Sequence, residues 1–221
     1  MFKKVLISDD LDSINHGVQL VTESLGISEV TQVQYCDDAY LKIKKGIMDE
    51  APYELLITDL SFKSDHRAQT YTSGEALIKI LSREHPELRI IVYSIEDRPL
   101  KVRYFFENYK IDAFVCKSRK GMNELKDAIR QVYNGKLYLS PQIQNSLNKQ
   151  SHLEIEEYDV ELLRQLAAGK SQDEISHEFK QQAISPSSLS SIEKRLNKLR
   201  IQFKSNNAIQ LVAVAKDLGI I

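Results

Sequence analysis

Five short apolar runs recur through the first 134 residues, at intervals that an alternation of strands and helices would fill. They are Lys3–Ser8, Val30–Cys36, Tyr53–Thr58, Arg89–Ser94 and Asp112–Cys116. Between and after them, patterns with helical periodicity fall near 12–25, 37–50, 74–85, 97–109 and 121–134. Runs this short and this apolar suit strands covered on both faces. The pattern therefore predicts an α/β domain built on a five-stranded, doubly wound parallel sheet. Asp12, Asp37, Ser73 and Asp97 stand where helix N-caps are expected, since each side chain can accept from the first free amides.

The ends of the runs carry the chemistry. Val5-Leu6-Ile7-Ser8 leads into Asp9-Asp10, and Leu55-Leu56-Ile57-Thr58 leads into Asp59. In an open α/β sheet, ligands sit outside the carboxyl ends of the strands. Three carboxylates gathered there repel one another and call for a hard cation, for which Mg²⁺ is the usual choice. Ser94 closes the fourth run and Lys117 follows the fifth. Taken singly, each residue has a plain structural reading as a cap, a surface charge or a packed hydroxyl. Their joint placement at strand ends is what singles them out.

This set resembles the receiver domain of bacterial two-component response regulators, with a flavodoxin-like sheet. The resemblance implies that Asp59 is the phosphoacceptor. Asp9, Asp10, Asp59 and the backbone carbonyl of Ser61 would hold Mg²⁺. Ser94 would be the switch hydroxyl, Phe114 the aromatic switch and Lys117 the conserved lysine of the family. A carboxylate attacking phosphorus is nucleophilic catalysis, and phosphoryl transfer relies on positioning and on charge around the moving group. The chain departs from the family at several places. Ile95 follows the switch hydroxyl where a small residue is usual, Lys63 replaces a proline, and Ser118 stands where many relatives have proline. The loop of 14 residues from 60 to 73 is longer than usual; its Lys63, Asp65, His66, Arg67 and Tyr71 suggest a partner surface or a lid, against a tolerated surface insertion.

At 221 residues and 42% hydrophobic content the chain has room for two domains. A net charge of −1 gives no overall bias toward nucleic acid but allows a local basic face. Cys36 and Cys116 both fall in runs that read as strands, and two such residues suggest buried thiols of a reduced protein. The N-terminal apolar run is too short for a signal peptide or a membrane span, so a cytoplasmic location is expected.

Beyond Asn134-Gly135 the composition turns to Gln, Asn and Ser. Residues 135–152 read as a linker with one short helix starting at Ser140. From 153 to 221 strand signals give way to helical spacing, with Val160, Leu163, Leu166, Ile175, Phe179, Leu189, Ile192, Leu196 and Leu199 as apolar positions. This all-α stretch resembles the LuxR-type helix-turn-helix domain of the NarL/FixJ class. The match is carried by Leu166-Ala167-Ala168-Gly169-Lys170-Ser171-Gln172-Asp173-Glu174-Ile175-Ser176 and by Ile184-Ser185-Pro186-Ser187-Ser188-Leu189. Phe179 to Ser185 makes a longer turn than the family's, and the opening Glu154–Tyr158 is acidic.

The third helix of this module is the candidate DNA reader. Ser187, Ser188, Ser190 and Ser191 are short donors that can approach phosphates and base edges closely. Lys194, Arg195 and Lys198 follow, then Arg200 and Lys204, with no acid among residues 194–204. Helix caps and a solvated face are the structural readings of the same residues.

Together the resemblances imply a two-component response regulator: a phosphoprotein that controls transcription, not an enzyme. Its partners would be a sensor histidine kinase and double-stranded DNA, with a homodimer on the DNA and no membrane. The alternative is a phospho-regulated protein-interaction module with a non-DNA-binding helical output. A phosphohydrolase is disfavoured, because such folds carry an aspartate two residues after the nucleophile and Ser61 stands there.

Overall fold

The computed structural model describes residues 1–63, 66–150, 155–217 and 220–221, with residues 100 and 146–150 described by backbone alone. Asp65 of the long loop, Glu154 and the expected boundary at 152–153 lie outside the described residues. The chain divides into two compact units, one built from Met1–Asp97 and Val102–Gln144, the other containing Asn145–Ile221.

In the first unit, β1 (Lys4–Ser8), β2 (Glu29–Val33), β3 (Leu55–Thr58), β4 (Arg89–Ser94) and β5 (Ala113–Cys116) alternate with α1 (Asp12–Ser24), α2 (Cys36–Met48), α3 (Gly74–Glu84), α4 (Pro99–Tyr109) and α5 (Gly121–Tyr133). The sheet is wholly parallel, in the order β2-β1-β3-β4-β5-β6. The sixth strand, β6 (Tyr138–Leu139), lies in the stretch expected as linker, where two residues are too few to give a periodic signal. It is followed by α6 (Pro141–Gln150), the short helix expected after Ser140.

Burial on both faces explains the unbroken apolar runs. Every residue of β3 is buried. On one face Val5, Ile7, Leu55, Ile57, Ile91 and Val115 pack against Leu125, Ala128, Ile129 and Val132 of α5. Leu6, Leu56 and Phe114, on the other face by alternation, are fully buried as well. Ser73 caps α3, accepting from the Ala76 amide at 3.2 Å. Asp12 and Asp37 do not cap. They lie inside the first turns of α1 and α2, whose N-cap positions are Leu11 and Tyr35. Cys36 opens α2 rather than closing a strand.

The second unit holds α7 (Glu157–Ala167), α8 (Gln172–Gln181), α9 (Leu189–Gln202) and α10 (Ala208–Asp217). Their apolar positions, among them Leu163, Ile175, Phe179, Ile192, Leu196, Leu199 and Leu211, close one core. Ser171 and Glu174 form a reciprocal capping box at the start of α8.

Candidate functional site: an acidic pocket at the strand ends

The strand order reverses between β1 and β3, and the crevice at their carboxyl ends is where such sheets bind ligands. Hydrogen bonds continue one residue beyond the strands and register the site's backbone. Asp9 N–H donates to the Val33 carbonyl at 3.2 Å, Asp59 N–H to Ser8 at 3.0 Å and Lys117 N–H to Ser94 at 2.7 Å. Asp9, Asp59 and Lys117 are thereby set side by side before their side chains are considered.

The side chains converge. Lys117 Nζ lies 2.6 Å from Asp9 Oδ2 and 2.6 Å from Asp59 Oδ2. The other oxygens are held by nearby amides: Leu11 N–H donates to Asp9 Oδ1 at 3.0 Å, and Leu60 N–H donates to Asp59 Oδ1 at 2.6 Å. Asp10 completes the group, and each of the three carboxylates offers an oxygen within 4.8 Å of the other two. Asp9 and Asp59 are buried, while Asp10 is half-buried. Burial pushes the Asp9 carboxyl above its ordinary value, opposed by the hydrogen bond and charge of Lys117. Three carboxylates against one ammonium leave two negative charges in excess, a donor set suited to a hard divalent cation.

Gly74 is required here by close approach. A Cβ on it would stand 1.8 Å from the Asp59 carbonyl oxygen, so α3 returns against the backbone of Asp59 only because residue 74 has no side chain.

Ser94 and Phe114 share a face of the sheet, since Val92 pairs with Phe114 and Ser94 lies two residues further along. Both are fully buried. The Phe114 ring stands 6.5 Å from that of Phe105 on α4. Ser61 is exposed, and Ile95 projects into solvent, 71% exposed. Both cysteines are buried and unpaired, and burial pushes the Cys36 thiol up to about 12 and Cys116 to about 11.

In the second unit the structure separates the expected DNA contacts. Lys194 and Lys198 are exposed and lie four residues apart on one face of α9. Ser188 caps α9, accepting from the Ser191 amide at 3.2 Å, and its hydroxyl lies 2.7 Å from that of Ser191. Ser190 is exposed, whereas the Ser187 carbonyl accepts from the hydroxyl of the buried Ser176 at 2.7 Å. Arg195 is placed differently from the sequence expectation. Its guanidinium binds both oxygens of Asp159 and reaches Glu156 at 3.1 Å, with Asp159 fully buried. Those carboxylates hold the Arg195 pKa above its ordinary value, the hydrogen bond to Asp159 being the main cause. The partner stands 36 residues upstream, so nothing local in the sequence signals the pair. Equally unsignalled were the Lys63 amide on Asp10 and the ties of Arg67 to Asp38, because both depend on which strands are neighbours.

No protein-family model matches the chain. The response regulator GacA of Pseudomonas protegens is 27% identical over 146 residues, covering 65% of this chain and 62% of that protein. GacA of Pseudomonas aeruginosa is 26% identical, covering 65% and 61%. The match thus spans under two thirds of these relatives' length. Among solved structures, Salmonella typhimurium RcsB aligns with a TM-score of 0.71 at 23% identity, over 97% of this chain and 99% of that one. RcsB in an assembly of two dimers bound to two parallel DNAs aligns at 0.69 and 22%, over 99% and 100%. The latter two likenesses are of fold. Fold and sequence kinship define the class: a receiver fold followed by a helical helix-turn-helix fold. In sequence the chain is similar to these response regulators over about two thirds of its length, and in fold it is similar to RcsB.

Proposed function

We propose that the chain is a phosphorylation-controlled transcription regulator. Residues 1–134 act as the receiver, 135–152 as the connection and 153–221 as a DNA-binding output. One observation carries the reading: Lys117 bridges Asp9 and Asp59 in a pocket that Asp10 leaves doubly negative.

Asp9, Asp10, Asp59 and the Ser61 carbonyl would hold Mg²⁺, which supplies positive charge beside the phosphoryl oxygens. An Asp59 carboxylate oxygen attacks phosphorus, and the bond to the donor breaks with its electron pair leaving on the donor. A histidine kinase or a small acyl phosphate fits that role. Lys117 then exchanges a carboxylate for a phosphoryl oxygen. The new group brings roughly −1.5 to −2 charge and strong acceptors. Ser94 donates to one of them, and Phe114 repacks on the same face of the sheet. Ser61, two residues after Asp59, offers no carboxylate to assist hydrolysis, which supports a switch and not a turnover enzyme.

On the output side Lys194, Lys198 and the α9 serines meet double-stranded DNA, in dimers on paired half-sites. The engagement of Arg195 by Asp159 favours a second reading, a helical output that binds protein.

Acetyl phosphate with Mg²⁺ should give a phosphoryl adduct detectable by mass spectrometry, absent from Asp59→Asn although that variant remains folded. Normal labelling of the variant would remove the assignment. Gel shifts of genomic fragments at several salt concentrations should show binding that weakens steeply with salt. No binding by either form of the protein at any salt would select the protein-binding output. Of the location, the structure says only that no helix among the described residues is long and apolar enough to cross a membrane.

A further inference from the structure

The long loop after β3 is closed at its base. Gly74 N–H donates to the Leu60 carbonyl at 3.1 Å, so the ends of the stretch meet. Its described part is fastened at the junction of β2 and α2. The Asp37 carboxylate accepts from the Thr70 and Tyr71 amides at 2.9 and 2.8 Å. Arg67 makes a two-pronged pair with Asp38 at 2.7 and 3.1 Å, and its guanidinium carbon lies 4.4 Å from the centre of the Tyr35 ring. The rings of Tyr71 and Tyr40 are 5.0 Å apart.

Strand order gives these ties their meaning. β1 lies between β2 and β3, and Asp9 and Asp10 stand at its end. The loop leaves β3, and its ties lie where β2 gives way to α2, so its two ends belong to the strands that flank β1. Lys63 makes contact at the end of β1, its N–H donating to Asp10 Oδ2 at 2.9 Å.

We infer that Arg67, Asp37 and Asp38 are positioning residues that latch this loop across the acidic pocket and restrict the access of water and small phosphodonors to Asp59. The inference rests on the phosphoacceptor reading of Asp59. The reaction restrained is hydrolysis: water oxygen attacks phosphorus, the bond from phosphorus to the Asp59 oxygen breaks, and inorganic phosphate leaves with the carboxylate restored. Side chains of Arg67 and Asp38 are 43% and 34% exposed, so the pair is screened by solvent and opens readily. Such a latch tunes a rate without sealing the site.

The test is the lifetime of the full-length phosphoprotein, formed with acetyl phosphate and Mg²⁺ and followed by mass spectrometry after donor removal. Arg67→Ala should shorten that lifetime, and speed labelling by acetyl phosphate, by roughly five-fold. The exchanged pair Arg67→Asp with Asp38→Arg should restore much of the lifetime, which a general loss of folding would not. Asp37→Asn, read the same way, serves if Arg67→Ala fails to fold. Unchanged lifetimes in folded variants would overturn the latch. Absence of any adduct on the unaltered protein would instead overturn the receiver reading.

Discussion

Each unit of this molecule contains a cation gripped by two carboxylates, and the two groups behave differently. Arg195 satisfies Asp159 through both oxygens, reaches Glu156, and sits where Asp159 also accepts from the Glu156 amide at 2.9 Å. Its planar fork matches the carboxylate, and the group is complete. Lys117 is a point charge shared between Asp9 and Asp59, with Asp10 still to be balanced. Surplus negative charge held at a sheet's ligand-binding edge suits a hard divalent cation. In the helical core the buried Arg195–Asp159 pair is neutral and the second carboxylate, Glu156, is exposed, so the pair ties α9 to α7. Residue type alone does not distinguish a site from a strut; the unbalanced remainder does.

The largest effect expected from this contrast is on stability. Arg195→Ala leaves the fully buried Asp159 without its cation and should destabilise the second unit by about 3 kcal/mol in denaturant unfolding. An unchanged midpoint would break the contrast, since the pair would then be no strut. Next comes the cation. Free Mg²⁺ at about five times its dissociation constant should stabilise the first unit by about 1 kcal/mol, leaving the second unmoved, and EDTA should reverse it. Asp10→Asn should remove most of that response, and an equal response from the variant would show that the pocket's surplus charge is irrelevant. The smallest effect on stability belongs to Lys198→Ala, within about 0.5 kcal/mol of the parent. That variant should nonetheless lower the slope of DNA affinity against salt by about one contact, and an identical slope would take Lys198 off the DNA.

The sequence yields the first unit's site more fully than the second's for a physical reason. A parallel sheet sends successive strand ends to one edge, so Asp9, Asp10, Asp59, Ser94 and Lys117 can be grouped once the runs are recognised. Helices offer no common edge. Lys194, Arg195 and Lys198 look equivalent in the chain, yet Arg195 is claimed by Asp159 of α7 while both lysines stay exposed. The expected caps Asp12 and Asp37 show a similar limit. Asp37 is occupied by the Thr70 and Tyr71 amides, partners that only the fold brings near. The pairing of Tyr138–Leu139 with β5 was hidden because two residues carry no period.

The bond from Gly74 to Leu60 also has a consequence for how this chain can vary. It works as a drawstring: strand and helix are cinched together behind Asp59, and everything between them hangs from a closed neck. Insertions or deletions along residues 62–72 need not disturb the backbone of Asp59, the proposed nucleophile. A lineage could therefore remodel the mouth of the pocket, and with it the duration of a signal, while leaving the chemistry at its floor in place.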